Sequence, residues 1–480
     1  MLESYIGLFA LLWFTWFQVA LFDIRLGFDS AFERVCQAIQ FGVMVGLAVQ
    51  GTYYDVDYFY NYDSAFKDLS LILMVSRLVL ALQYAGACWC LRGYKKARLP
   101  LLAHSATMFI SAMTFLGLSF GFVQAPGIYT LAGWYVLVAG EAGIVLFISA
   151  KTKFLNFRRT NIIERLGLLT LIILGEGIMG MTEAVSKINN ADGLFSDDVI
   201  GLIICGVLIV YFLYMMYFDQ TETVGRKVGT IRQTIWAIGH FPYHVSILLI
   251  VEGFGQFTIW RKIVDYVNLA FNIISGLTPP AGDNSTTTWE NYASALNSSL
   301  TQRLSQLLYA NYTDALTAIA DSGGNPDILE AQVFNLQGIV AESAAELFGV
   351  EVPTNFNQSS LEGENALVNI VTIYTTVFLY FFICAGLALV FLACLFILGK
   401  KGQSRIEYIS IGSRLLVGIG IALLTLMYVP ATIDTNNVVP WDYYFVSPWL
   451  TPTVVLAYAL GKSKTTSVTP ALIPPYSDRA

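Results

Sequence analysis

The chain is dominated by apolar runs of roughly 20 residues, each bounded by charged or turn-forming residues. A helix of that length crosses a hydrocarbon core of about 30 Å, so each run predicts a membrane-spanning helix. The pattern predicts an all-α fold, a polytopic transmembrane bundle of about eleven spans. The predicted spans are Tyr5–Phe22, Val35–Tyr53, Leu69–Leu91, Leu101–Phe122, Gly127–Ala150, Ile162–Val185, Val199–Phe218, Ile235–Trp260, Leu367–Leu398, Tyr408–Tyr428 and Pro448–Leu460.

A long polar segment separates the eighth span from the ninth. Within it, apolar residues recur at helical spacing from Trp289 to Leu308 and again after Pro326, which predicts two helices. This helical insertion is either a lid or partner-binding domain, or an amphipathic hairpin on the membrane surface, and we favour the hairpin. The predicted organisation is a transmembrane bundle of about eight spans (1–262), the insertion (263–366), three further spans (367–462) and a tail (463–480).

The distribution of basic residues predicts the orientation of the chain. Lys and Arg cluster in alternate loops, and such loops face the cytoplasm. The insertion then lies outside the cytoplasm, where its four N-x-[ST] sequons are available for glycosylation. The sequon asparagines are Asn284, Asn297, Asn311 and Asn357. We therefore expect an integral protein of the secretory pathway or plasma membrane, with the N-terminus outside and the C-terminus cytoplasmic.

Composition agrees with a membrane protein and narrows its chemistry. Apolar residues make up 56% of the chain and charged residues 13%, against about 25% charged residues in soluble domains. No phosphate-binding loop, serine-hydrolase, zinc-protease or paired-cysteine motif occurs in a fitting context. We expect no nucleic-acid partner and no cofactor, and the protein is more simply interpreted as a non-enzyme whose partners are the lipid bilayer and a small ion or small molecule.

Charged side chains inside the apolar runs are the main candidate site residues. An isolated charge at the bilayer centre costs about 2.5–3.5 kcal/mol on insertion scales, so such residues usually line a pathway or have a partner. The functional interpretation is a proton or ion pathway formed by Glu141, Glu176, His240 and Glu252. The alternative is structural: Arg77 or Arg414 pairs with one of the carboxylates in a static ion pair.

Two of the three histidines, His240 and His244, lie four residues apart on either side of Pro242. With His104 as a third ligand they would suggest a membrane-embedded zinc enzyme. A proton relay, or a kinked helix with hydrogen-bonded histidines, fits the same spacing and is favoured, because histidine titrates near physiological pH.

The segment that runs from Glu164-Arg165-Leu166-Gly167-Leu168 to Leu174-Gly175-Glu176 resembles the ERxGLxxxxxLGE signature of the low temperature requirement A family. Phe22-Asp23-Ile24-Arg25 resembles the second conserved block of fungal-type members, and Gly239-His240-Phe241-Pro242 lies where family members carry a histidine-proline pair. The resemblance covers roughly residues 1–260 and 367–460 and implies an integral membrane protein whose motif residues are Glu164, Arg165, Gly167, Gly175 and Glu176. Members usually begin with an additional span that carries an ELFFDL-type motif, which implies that this chain lacks one N-terminal span.

These observations lead to one preferred function and two alternatives. The preferred function is a transporter or channel, proton-linked through the buried carboxylates. The alternatives are the metalloenzyme and a non-catalytic scaffold that acts through the helical insertion.

Overall fold

The computed structural model describes residues 2–27, 29–51, 53–54, 63–124, 128–152, 160–192, 197–221, 230–277, 286–304, 312–321, 325–350, 362–400 and 402–427. Over these residues the chain is helical and contains no strand, which confirms the predicted all-α class. The helices are α1 (Leu2–Leu26), α2 (Ala31–Gly51), α3 (Asp63–Cys90), α4 (Lys95–Gln124), α5 (Ile128–Lys151), α6 (Ile162–Asp192), α7 (Asp197–Thr221), α8 (Thr230–Gly276), α9 (Thr286–Arg303), α10 (Thr313–Asp321), α11 (Pro326–Leu347), α12 (Glu362–Gly399) and α13 (Arg405–Leu423), with a 3₁₀ turn at Leu424–Met427.

Nine of the described helices are long and apolar enough to cross a membrane. They are α1 to α5, α7, α8, α12 and α13, and they coincide with nine of the predicted spans. The predicted sixth span lies within α6, which is helical over 31 residues but is not among the nine. The predicted eleventh span lies outside the described residues. The chain is therefore a multi-pass helical membrane protein.

Helix α8 continues beyond the predicted end of the eighth span at Trp260. It runs without interruption for 47 residues to Gly276. The charged pair Arg261 and Lys262 suggested a span end, but Arg261 forms an ion pair with Asp265 at 3.2 Å and Lys262 is buried. Buried apolar residues from Ile263 onward keep the same helix in the core. The helix therefore extends well past the predicted end of the span, because neighbouring packing, which the local charges do not reveal, covers both residues.

The insertion contains three described helices. Helices α9 and α11 confirm the two that the sequence predicted, whereas α10 was missed because it has only nine residues. Helix α11 is closed by Gly349, whose φ of +69° is the left-handed conformation that favours glycine. The Val350 amide donates to the Ala345 carbonyl at 2.8 Å and completes this cap.

The helices form two compact units. The first unit comprises the described residues within 1–170, 218–245 and 391–403. Its helices α1 to α5 bury an aromatic and aliphatic core. The core residues are Leu11, Val43, Leu47, Tyr54, Phe66, Leu69, Leu73, Phe115, Phe122 and Trp134. In the same unit Arg232 donates to the Leu398 and Lys400 carbonyls at 2.8 Å and to the Ile397 carbonyl, so it caps the C-terminus of α12.

The second unit contains the remaining described residues, including the insertion. Aromatic contacts join α8 to α12, with Trp260 stacked on Tyr374 at a centroid distance of 4.2 Å. Helices α12 and α13 approach most closely at two glycines: a Cβ at Gly418 would lie 2.7 Å from the Gly386 carbonyl oxygen. Small residues at such crossings let membrane helices pack backbone to backbone.

Candidate functional site

A buried ion pair lies in the middle of the first unit. Glu141 is close to the centre of α5 and Arg77 close to the centre of α3. The Arg77 Nε is 2.7 Å from Glu141 Oε1, and the two side chains are only 1% and 2% exposed. The structure thus brings Glu141 together with one of the two arginines that sequence analysis considered as partners.

The Glu141 carboxylate also receives two hydrogen bonds from other helices. Gln18 Nε2 on α1 donates to Oε1 at 3.2 Å, and Ser111 Oγ on α4 donates to Oε2. Hydrogen-bond donors from α1 and α4 and the cationic side chain of α3 therefore converge on one carboxylate. An ion pair and hydrogen bonds of this kind compensate for the lost hydration of a buried carboxylate and allow it to remain charged away from water.

The Arg77 guanidinium is held less tightly than the carboxylate. Its two terminal nitrogens reach Ser76 Oγ and Thr15 Oγ1, both at 3.4 Å. Ser76 Oγ in turn donates to Gln40 Oε1 at 2.9 Å, which links α2 to the group. Arg77 contacts the carboxylate through Nε alone and does not form the bidentate pair that is strongest for this residue.

We call this group the polar layer. It consists of Thr15, Gln18, Gln40, Ser76, Arg77, Ser111 and Glu141, contributed by α1 to α5. All seven side chains are buried. Removing either charged partner would leave the other uncompensated at low dielectric, which is far more costly than losing a surface pair.

His244 is fixed in one neutral tautomer by its neighbours. The Trp13 indole N–H, which is only a donor, points to Nδ1 at 3.0 Å. Nδ1 must therefore accept, and the ring proton is on Nε2, which is 2.8 Å from Thr170 Oγ1. The Thr170 hydroxyl donates its own hydrogen bond to the Leu166 carbonyl oxygen at 2.9 Å. Both nitrogens of His244 are occupied, so neither offers a lone pair to a metal ion.

The other two histidines are each bonded to a backbone carbonyl. His240 Nδ1 is 2.9 Å from the Trp236 carbonyl oxygen, and His104 Nδ1 is 3.1 Å from that of Pro100. Because a carbonyl only accepts, Nδ1 carries a proton in both rings. The rings of His240 and His244 are 5.7 Å apart. Within the described ranges, no three His, Cys, Asp or Glu side chains are grouped to hold a metal ion, and the zinc-enzyme alternative is not supported.

The sequence profile of the family described as "Bacterial low temperature requirement A protein (LtrA)" matches residues 2–268, which is more than half of the chain. This chain belongs to the LtrA family. The match includes the polar layer and all three histidines. No match was found among curated proteins or among solved structures.

The LtrA signature begins at the N-terminal end of α6. Glu164 and Arg165 are exposed there, while Gly167 is buried and a Cβ at its position would lie 3.7 Å from the Phe218 ring. Gly175 has open space around it, and Glu176 is exposed. A neighbouring helix approaches closely at Gly177, where a Cβ would collide with Val251.

The remaining candidate carboxylates of the LtrA chain lie in the second unit. Glu252 is exposed and accepts a hydrogen bond from Gln256 Nε2 at 3.1 Å. Glu183 pairs with Lys187 at 3.1 Å, one helical turn further along. Arg414 is buried on α13. Glu141 and His240 thus belong to the first unit, and Glu176 and Glu252 to the second.

Sequence reasoning missed the neutral members of the polar layer. Thr15, Gln18, Gln40 and Ser111 were not singled out, because single uncharged polar residues are common in membrane helices. One signal was available for two of them: Thr15 and Ser111 lie close to the middle of their apolar runs, as Arg77 and Glu141 do in theirs.

Proposed function

We propose that this LtrA chain transports a small ion or small molecule across the membrane, or conducts it as a channel, with movement linked to protons through Glu141. The observation that carries the proposal is the fully buried Arg77–Glu141 pair at the centre of membrane-spanning helices. Charged residues at that depth mark ion and proton pathways far more often than they serve stability, for which an apolar pair of similar volume is at least as good.

The geometry supports a change of state at the pair. A proton on Glu141 would cancel the charge that balances Arg77, and the guanidinium would then need another anionic partner. Its terminal nitrogens, held only by bonds of 3.4 Å, are the donors that an anion would engage. Proton uptake and substrate binding would in this way be coupled at a single site, as proton-linked transport requires.

Three further groups belong to the proposal, each within its own unit. His240 has its Nδ1 proton committed to the Trp236 carbonyl, so its Nε2 would be the atom that gains and loses a proton. Glu176 and Glu252 are exposed carboxylates on α6 and α8. They would serve as proton-handling groups outside the polar layer.

The orientation is also a proposal. The clustering of Lys and Arg in alternate loops favours an N-terminus and a helical insertion outside and a C-terminus in the cytoplasm. Asn297, the one sequon asparagine within the described residues, is exposed on α9, where an oligosaccharyltransferase could modify it on the outer side. Asn284, Asn311 and Asn357 lie outside the described residues. A protein of the secretory pathway or plasma membrane follows from this arrangement.

Proton flux into liposomes tests the function. The purified chain is reconstituted with an internal pH dye, and a potassium gradient with an ionophore supplies the driving force. We expect flux from the wild type, a loss of at least about tenfold for Glu141→Gln, and unchanged flux for Glu183→Gln, whose carboxylate forms only an exposed pair. Equal flux for wild type and Glu141→Gln, or a wild-type signal no greater than that of empty liposomes, contradicts the proposal.

A further inference from the structure

The second unit contains an apolar cavity between α8, the end of α11 and α12. Its empty volume is about 360 Å³, including the space at its mouth. The wall is formed largely by branched aliphatic residues. Among them are Ile259, Ile263, Val350, Ile370, Ile373 and Val377. Because this space is partly open at the mouth, it suits one flexible chain that lies partly inside better than a whole lipid.

One polar group in this wall has no partner. Trp260 lines the cavity, its side chain is 6% exposed, and its indole Nε1–H has no hydrogen-bond partner among the described residues. The ring itself is fixed by stacking on Tyr374. A buried donor without an acceptor is costly and calls for an unseen water or ligand. The surrounding aliphatic wall favours a ligand that is apolar apart from one acceptor.

The position of Trp260 indicates the source of that acceptor. Trp260 ends the eighth apolar run, and the charged residues Arg261, Lys262 and Asp265 follow directly, so the indole lies at one membrane–water interface. On α12, Ile370 to Val377 lie near the start of the ninth apolar run, at a matching level. The ester carbonyls of membrane glycerolipids occupy the same interfacial region.

The charge of the wall separates an ester from a free acid. A fatty acid would bring a carboxylate, which needs a cationic or strongly donating partner when it leaves water. None of the described residues that line the cavity is Lys, Arg or His. The polar residues of the wall, Gln256, Trp260 and Tyr374, are all neutral, and a neutral ester carbonyl requires only one donor, which Trp260 supplies.

We infer that this cavity is a lipid site, which holds one acyl chain of a membrane glycerolipid while Trp260 Nε1–H donates to its ester carbonyl. The inference is independent of proton transport and of the polar layer. It assigns to the LtrA chain a bound lipid where the helical insertion contacts the spans of the second unit.

Photo-crosslinking tests the site. The chain is reconstituted in phosphatidylcholine nanodiscs that contain a phosphatidylcholine with a diazirine in one acyl chain, irradiated and digested. We expect labelled peptides from 259–263 and 370–377. Trp260→Phe keeps the stacked ring and removes the N–H, so labelling at subsaturating probe should fall about fivefold. Trp16→Phe, a partly exposed indole on α1 of the first unit, serves as the matched control and should leave labelling unchanged.

A cavity-filling variant and a free-acid probe complete the experiment. Ile370→Trp fills the cavity and should abolish labelling, whereas Ile204→Trp, on the exposed face of α7, should not alter it. A diazirine fatty acid of the same chain length should label these peptides less than the ester probe does. The inference is overturned by labelling no stronger than at the Ile204 surface, by unchanged labelling in folded Trp260→Phe, or by equal labelling with the free acid.

Discussion

The Glu141 carboxylate has partners on three other helices, at a depth where the lipid chains provide no hydrogen-bond donor. The charge is balanced by Arg77, and Gln18 and Ser111 satisfy the oxygens that the guanidinium leaves. The arrangement is stable only as a whole, because each charged partner is tolerated through the other. His244 shows the contrasting case, a polar side chain whose two nitrogens are fully used and whose role is to join α1, α6 and α8.

The buried pair of Arg77 and Glu141 leads to a prediction about the free energy of unfolding. Glu141→Gln leaves Arg77 uncompensated, so the variant should lose about 3–5 kcal/mol of stability. Arg77→Gln combined with Glu141→Gln removes both charges and should recover most of that loss. Thermal unfolding of the purified variants in detergent measures the effect. A single variant as stable as the wild type would show that the pair carries no buried charge.

At the scale of elements, close helix approach depends on a few glycines and not on glycine content. Gly386 and Gly418 bring α12 and α13 into backbone contact, and Gly177 accommodates Val251 between α6 and α8. Gly175, Gly180, Gly412 and Gly420 have open space at the Cβ position. The glycines of the first group constrain how helices of the second unit cross, and those with open space do not.

Substitution at two glycines of α13 tests this distinction. Gly418→Ala places a methyl group 2.7 Å from the Gly386 carbonyl oxygen and 3.1 Å from Leu389 Cβ, where neighbouring backbone cannot yield easily. We expect a loss of about 1–3 kcal/mol. Gly420→Ala meets no atom within 4 Å and should be neutral or stabilising by about 0.5–1 kcal/mol. Melting temperatures of the two variants in the same detergent decide the matter, and equal shifts would refute the glycine contact.

A comparison of the predicted and observed helices shows which structural features could be predicted from the sequence. Nine spans were predicted because apolar length is a local property that each helix carries by itself. The end of α8 was not, because the burial of Lys262 depends on its surroundings. In the polar layer, Glu141 and Arg77 were visible as charges in apolar runs. Their pairing, and the contributions of Gln18 and Ser111, depend on how helices distant in the chain pack together.

In the whole molecule, the proposed orientation has the helical insertion outside the cytoplasm. All four sequons fall in that segment, and Asn297 is exposed on α9. The chain produced in a eukaryotic host should therefore carry N-glycans that an N-glycosidase removes, and Asn297→Gln should lose one of them. Asn291→Gln, an exposed asparagine of the same helix outside any sequon, is the control. Absence of any glycan, or a glycan insensitive to Asn297→Gln, would contradict the role assigned to Asn297.

We propose that the carboxylate of Glu141 acts in transport and is not only one half of a structural ion pair. Proton flux through liposomes that contain Arg77→Gln with Glu141→Gln separates these two roles, because the double variant removes both charges and should stay folded. We expect the double variant to be as stable as the wild type within about 1 kcal/mol and to carry no flux above empty liposomes. Wild-type flux from the folded double variant would contradict it, since the pair would then serve the fold alone.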